Sequence, residues 1–412
     1  MSHPPTPSTA SSRSFLPYCL LSPAKTPFML LAMLSSAFRK SHLGFILLGA
    51  TPAVTPTGAG AAPAERAVLP FPSLPPRPVP ATVMQQIYEE VRTPHKVGVI
   101  LKGEPGEMID CPNVFRHEGR WYMVYVAIRD KVGYQTYLAR SDDLVRWEKL
   151  GRILSFSQGT WDAWQADAGL ALYDLRWDGA DHQLGRHDGK FWMSYIGGAL
   201  QGYETDPLSI GMVWSRQPVA VAEWNRIPEN PILSTAQPDI RGFENATLYK
   251  SAIIHDEKRS LGWPYIMYYN GKTRQTTNHE AIGMAVSKDM ITWTRLGAEP
   301  VIDNAPGKPA ISGDPQIARI GDVWVMFYFG FRWKPHAFDT FACSYDLVQW
   351  TKWDGANLIE PSEPYDKTFA HKPWLIKHEG VVYHFYCAVG DQGRVIALAT
   401  SRPLPAGITP TP

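Results

Sequence analysis

The chain has 412 residues, 44% of them hydrophobic and 19% charged, a balance that excludes a largely disordered protein or an acidic tail. Its formal net charge of +1 gives no electrostatic footprint for nucleic acid. The 15 Trp, 18 Tyr, 16 Phe, 33 Gly and 36 Pro combine strand formers with turn formers, which favours an all-β domain over a helical bundle.

Residues 1–64 hold four Lys or Arg and no acid, so the remainder, with 36 basic against 39 acidic residues, carries net −3. Arg39 and Lys40 precede an apolar run, Leu43 to Leu48, and small residues follow to Ala64. A basic stretch, a short apolar stretch and an Ala-rich site make up a secretory signal peptide. Cleavage is expected between Ala59 and Ala64, and the start at Met29 or Met33; a disordered tail is the alternative. Neither this run nor Phe28 to Met33 is long enough to span a bilayer, so no membrane span is expected. Export, secreted or periplasmic, puts Cys111, Cys343 and Cys387 in an oxidising compartment. An odd number without CxxC spacing gives no disulfide framework and no zinc knuckle, so buried thiols are expected.

Next in chain order, residues 84–92 (MQQIYEEVR) read as a short helix stopped by Pro94, and residues 96–101 (KVGVIL) as a strand. The chain then repeats itself. SDDLVRW (141–147), SKDMITW (287–293) and SYDLVQW (344–350) are one phrase three times, with a degenerate copy at 215–224. An apolar, aromatic strand lies before each phrase: 121–126, 191–196, 265–270, 323–329 and, last, 381–387. Most of these strands follow a Gly-containing turn. One unit of about 65 residues reads as a strand, a tight turn, an aromatic strand, a second strand ending in Ser-x-Asp, then Trp. Five units over 80–408 predict an all-β, five-bladed β-propeller, with 96–101 as an extra strand on the last blade. A β-sandwich with chance similarity of phrases is the alternative. The Ser, Asp and Trp of the phrase are expected to cap turns and pack between strands. The long 148–190 and 197–243 stretches are expected to build a pocket rim.

Each unit opens with a strand whose entry residue should face the axis: Asp110, Asp167, Glu244, Asp314 and His371, spaced 57, 77, 70 and 57 residues apart. Equivalent phase in a closed ring would gather four carboxyls and a His in one pocket. Like charges in a shared site raise at least one pKa, so one carboxyl stays an acid while another stays ionised. Cleavage of a glycosidic bond needs such a pair. Trp161, Trp164, Trp214, Trp333 and Tyr203 are candidates to stack on a sugar. No P-loop, HExxH or GxSxG run is present. Asn245-Ala246-Thr247 matches a glycosylation acceptor, but beside Glu244 it reads as a chance match.

The repeat, with Asp, Asp and Glu in order over the first three units, resembles the five-bladed propeller glycoside hydrolases around family 43, over about residues 85–405. The resemblance implies Asp110 as general base, Asp167 as the residue that tunes and orients the acid, and Glu244 as general acid. It implies no required cofactor, although some members hold a calcium ion through water at the position matching His371. Asp110 departs from the pattern in being followed by Cys111 before Pro112. The Asn-Asp-Pro-Asn-Gly and Glu-Cys signatures of fructan and sucrose hydrolases are missing. Asp314, His371, Lys372, Arg129 and Trp164 are the expected substrate-binding residues, and Lys250 and Arg332 follow inner strands that could bring them to the pocket. The expected function is an exported glycoside hydrolase that inverts plant or algal type oligosaccharides, with carbohydrate as its partner. A phosphorolytic enzyme resembling the mannoside phosphorylases and a non-catalytic sugar-binding propeller are the alternatives. The sequence does not indicate an oligomeric state.

Overall fold

The structure is a computed structural model and describes residues 66–411. The expected signal peptide falls outside the described residues. The described part is nearly all β, and its strands fall into consecutive antiparallel sets. The first is β2 (Glu107–His117), β3 (Arg120–Arg129), β4 (Gln135–Ser141) and β5 (Glu148–Leu154). The second is β6 (Gln165–Leu170), β7 (Phe191–Gly198), β8 (Leu208–Ser215) and β9 (Asn225–Arg226). Then come β10 (Thr247–His255), β11 (Tyr265–Lys272), β12 (Glu280–Ser287) and β13 (Trp293–Leu296). β14 (Ile311–Ile320), β15 (Val323–Phe331), β16 (Ala337–Ser344) and β17 (Thr351–Lys352) follow. β18 (Phe369–His378), β19 (Val381–Gly390) and β20 (Gly393–Thr400) end the series, and β1 (His95–Leu101) pairs antiparallel with β20. The sets from β10 onward are linked into one sheet by single parallel bridges, Glu280 to Ile311 and Ala337 to Phe369.

The aromatic strands are buried because sets pack face to face. One apolar cluster joins Phe115 and Tyr125 of the first set, Met193 and Tyr195 of the second, and Trp374 and Phe385 of the last. The repeated phrase forms the same turn each time. In its second copy the Ser287 hydroxyl accepts from the backbone N–H of Met290 at 3.0 Å. The Asp289 carboxylate accepts from Ile291 and Thr292, at 2.9 and 2.7 Å. The Trp293 indole donates to the Met290 carbonyl at 3.1 Å. Leu144, Met290 and Leu347 turn the chain with φ of +66°, +64° and +70°, a left-handed geometry that these hydrogen bonds sustain.

The helix, α1 (Ala81–Val91), buries Met84, Ile87 and Val91 in a cluster with Trp177 and Phe341. It ends at Arg92, whose extended backbone precedes Thr93 and Pro94.

Two features place the site. First, β2, β10, β14 and β18 each break register at a bulge, between Asp110 and Asn113, Leu248 and Ser251, Gly313 and Gln316, and His371 and Trp374. Cys111, Asp314 and Lys372 sit in three of them with φ of +52°, +52° and +64°, each followed by a proline. Proline lacks the N–H that a continuous ladder would need, so it fits the break. Aligned on that proline, Asp314 matches Cys111 and Lys372, one step beyond Asp110 and His371. The five entry residues therefore do not share one phase. Second, the segment between β6 and β7 crosses the strand ends remote from these bulges. The Arg116 N–H donates to the His182 carbonyl at 2.8 Å, and that of Trp177 to Arg319 at 3.1 Å. The Tyr173 hydroxyl accepts from the Ile317 N–H at 2.8 Å, and its ring lies edge-on to Trp374. The 171–190 part of the expected rim thus closes the opposite end.

Candidate active site

At the bulge end the sets enclose a cavity of about 130 Å³. Its polar side carries Asp167, Glu204, Lys250, Glu280, Asp314 and Lys372. Phe329, Phe331 and Phe369 form an apolar side. The bulges bring in Lys250, Asp314 and Lys372. Asp167 comes from β6, Glu280 from the head of β12, and Glu204 from the loop between β7 and β8, with φ of +44°. Strained backbone of this kind gathers at functional sites.

Most charges here are already paired. The Lys250 ammonium donates to the Asp167 carboxylate and, at 2.8 Å, to the Ala168 carbonyl. Gly169 makes room for this lysine, since a Cβ there would lie 2.9 Å from Lys250 Cε. Lys372 donates to Asp110 at 3.0 Å, and its ammonium lies 3.7 Å from the Glu204 carboxylate. Arg394 and the Tyr134 hydroxyl also donate to Asp110, at 2.5 and 3.3 Å. Burial opposes charge on Asp110, but Lys372 and Arg394 outweigh it and hold the carboxyl well below the usual range.

Three acids in the cavity behave oppositely. Burial pushes Glu280 up to about 8, helped by the nearby charge of Glu204. Burial raises Glu204 as well, with Lys372 opposing. Burial raises Asp314 to about 6. The Asn270 amide donates to Glu280 Oε2 at 2.9 Å, and Gly313 leaves the space that Asn270 occupies.

Asp167, Asp314, His371 and Lys372 thus line the cavity. Asp110 does not; it is fully buried behind Lys372. Glu244 is also elsewhere. It ends a 3-10 turn (Gly242–Glu244), where it accepts from Arg241 at 2.8 Å, Arg295 at 2.6 Å and the Tyr269 hydroxyl at 2.7 Å. Burial opposes its charge, but the two guanidiniums keep it below the usual range. A general acid must hold a proton at working pH, so this setting does not suit the role expected of Glu244. Arg129 ends β3 with its side chain 56% exposed, 3.7 Å from Glu107 and off the cavity. Trp164 packs on Phe156 rather than lining the cavity. Arg332 is likewise not among the lining residues.

Sequence reasoning missed Glu204 and Glu280. A signal existed for Glu280, a lone acid heading the otherwise apolar run EAIGMAV. None existed for Glu204, which a loop delivers.

The calcium ion implied at His371 does not fit these residues. His371 directs Nδ1 at the Cys387 carbonyl, 3.2 Å away, and burial with Arg394 nearby pushes its pKa down to about 3. The carboxylates beside it already hold Lys372, Lys250 and Arg394. Among the described residues no group of three or more His, Cys, Asp or Glu is placed to share a metal. Cys111, Cys343 and Cys387 are free and buried.

Comparison with known proteins places the fold. A solved structure of BT0996 in an RGII complex is 43% identical, covering 81% of this chain and 99% of its own, with a TM-score of 0.75. A second, described as "Glycoside hydrolase", is 42% identical with the same coverage and TM-score. A thermostable family-43 glycoside hydrolase, 16% identical, covers 76% of this chain and 96% of its own at a TM-score of 0.52, a likeness of fold. No family model and no curated protein matches the chain. With more than 40% identity across nearly the whole of two solved relatives, the chain belongs to the glycoside hydrolases, and its fold is that of the propeller hydrolases around family 43.

Proposed function

We propose that the protein hydrolyses O-glycosidic bonds of a plant polysaccharide or its oligosaccharides, with Glu280 as general acid and Glu204 as its carboxylate partner. One observation carries this reading: Glu204 and Glu280 share a cavity whose two lysines are already paired with Asp167 and Asp110, and burial raises the pKa of both glutamates. Glu280, pushed up to about 8, keeps a proton at neutral pH for the leaving oxygen. Glu204 ionises first, and its charge helps to keep Glu280 protonated. It then activates water or attacks the anomeric carbon directly. Asp167, Asp314 and His371 contact substrate hydroxyls, and the phenylalanines cover a C–H face of the sugar. Asp110 acts one step back by fixing Lys372, rather than as the base.

The strand sets support a reading as five blades, with β1 completing the last. The relative solved in an RGII complex supports a plant polysaccharide as substrate. A phosphorolytic enzyme would need cations free for phosphate, whereas Lys250 and Lys372 are engaged by Asp167 and Asp110. The composition of residues 39–64 supports export.

The test is sugar release from a panel of aryl glycosides and plant oligosaccharides, with and without phosphate, beside Glu204→Gln and Glu280→Gln. Release that ignores phosphate and is lost in both variants supports the assignment. Parent-like turnover in either variant moves the chemistry to other residues.

A further inference from the structure

Charges alternate at and behind the cavity floor: Asp167, Lys250, Asp314 and Lys372 line it on β6, β10, β14 and β18, and Asp110 of β2 and Arg394 of β20 continue the series off the cavity, through the contacts of Asp110 with Lys372 and Arg394. Carboxylates converging on a strand-lined axis need a counter-charge, because like charges in a shared low-dielectric site repel and lose their hydration. An ion from solution or the chain itself can supply it. We propose that Lys250 and Lys372 are the resident cations of this floor, taking the place that a bound divalent ion would fill, so that fold and site are complete without metal.

Three observations carry this. The first is that each lysine is nearly buried and aimed at a carboxylate. Lys250 is 7% exposed and donates to both Asp167 and the Ala168 carbonyl. Lys372 has a side chain 10% exposed and lies between Asp110 and Glu204. The second is that the backbone is shaped around them. Gly169 leaves the space that the Lys250 stem occupies, and Lys372 takes a left-handed φ of +64° inside its bulge. An ordinary side chain at Gly169, or a regular strand at Lys372, would move the ammonium. The third is that the acceptor atoms are already engaged. Asp110 Oδ2 accepts from Lys372, Arg394 and Tyr134, and Oδ1 accepts from the Cys111 N–H. Calcium asks for six to eight oxygen ligands, and the carboxylates of Asp110 and Asp167 already face nitrogen donors. This inference does not depend on which glutamate is the acid.

The test uses the full chain and two readouts, Tm and sugar release. Dialysis against EDTA and then excess calcium chloride is expected to leave both unchanged. A Tm that falls with EDTA and returns with calcium chloride overturns the proposal. The second arm is a double-mutant cycle on one pair. Lys250→Met and Asp167→Asn each strand a buried charged partner and are expected to lower Tm by on the order of 5 °C. Asp167→Asn/Lys250→Met removes both charges and is expected to recover most of the larger loss. Losses that merely add in the double variant overturn the pairing. If Lys250→Met does not fold, the double variant alone decides: folded with a Tm near that of Asp167→Asn or above supports it, and unfolded overturns it.

Discussion

Glu280 and Glu244 show how charged partners, rather than burial, separate acids that look alike in sequence. Glu244 is fully buried too, yet two guanidiniums hold it charged, while Glu280 meets only the Asn270 amide and stays neutral. A bell-shaped pH profile follows. Activity falls as pH rises through about 8, where Glu280 loses its proton. It falls on the acid side below the pKa of Glu204, which lies above the ordinary glutamate value of about 4.3. A profile flat up to strongly alkaline pH would remove Glu280 from the role. Glu204→Gln and Glu280→Gln are each expected to lower kcat by about 10²–10⁴ with an unchanged Tm. Asn270 lowers the Glu280 pKa by its hydrogen bond, so Asn270→Ala moves the basic limb of the profile to higher pH, a shift that loss of packing alone would not produce. Glu244→Gln behaves differently, because it leaves Arg241 and Arg295 short of a counter-charge in the interior. About 3–5 kcal/mol of stability is expected to go, while turnover per folded molecule persists. The depressed pKa of Glu244 contributes stability above its unfolded value and loses it as pH falls through the folded one. Chemical denaturation of parent and variant above and below pH 4.5 checks that sign.

At the scale of elements, the repeated turn and the bulge divide the work. The turn closes the strands, with Ser and Asp side chains satisfying backbone N–H groups and Trp filling the space between sets. Trp293 is 2% exposed, and Trp293→Ala is expected to cost about 3–5 kcal/mol without changing specificity. β6 pairs without a break, whereas in β2, β10, β14 and β18 the bulge ejects one residue from the ladder and aims it at the axis. Its proline was visible in the sequence at Pro112, Pro315 and Pro373, yet aligning on the acid instead of the proline shifts the phase by one residue. Side chains alternate faces along a strand, so in β2 that single step brings Cys111 rather than Asp110 to the cavity. Gly313 belongs to the same device. A Cβ there would lie 2.8 Å from Asn270 Nδ2, so Gly313→Ala displaces the amide that holds Glu280. Measured kcat should fall while the circular dichroism spectrum is retained.

For the whole molecule, strand sets from distant parts of the sequence share one cavity at one end, and the segment between β6 and β7 closes the other. No described helix is long and apolar enough to cross a membrane. Export is checked by expression with residues 1–64 intact and N-terminal sequencing of the secreted product, with a new terminus expected between Ala59 and Ala64. What the sequence determined by itself was what repeats locally. Alternating aromatic strands, Gly turns and the Ser-x-Asp phrase declare strands, turns and their order, because each depends on neighbours a few residues away. Asp167, Asp314, His371 and Lys372 were legible for the same reason, since they ride on strands of the repeat. Only the tertiary structure decided which acids hold a proton. That depends on partners remote in the sequence: Arg295 for Glu244, Lys372 and Arg394 for Asp110, and a loop that carries Glu204 over Glu280 with no periodicity to mark it.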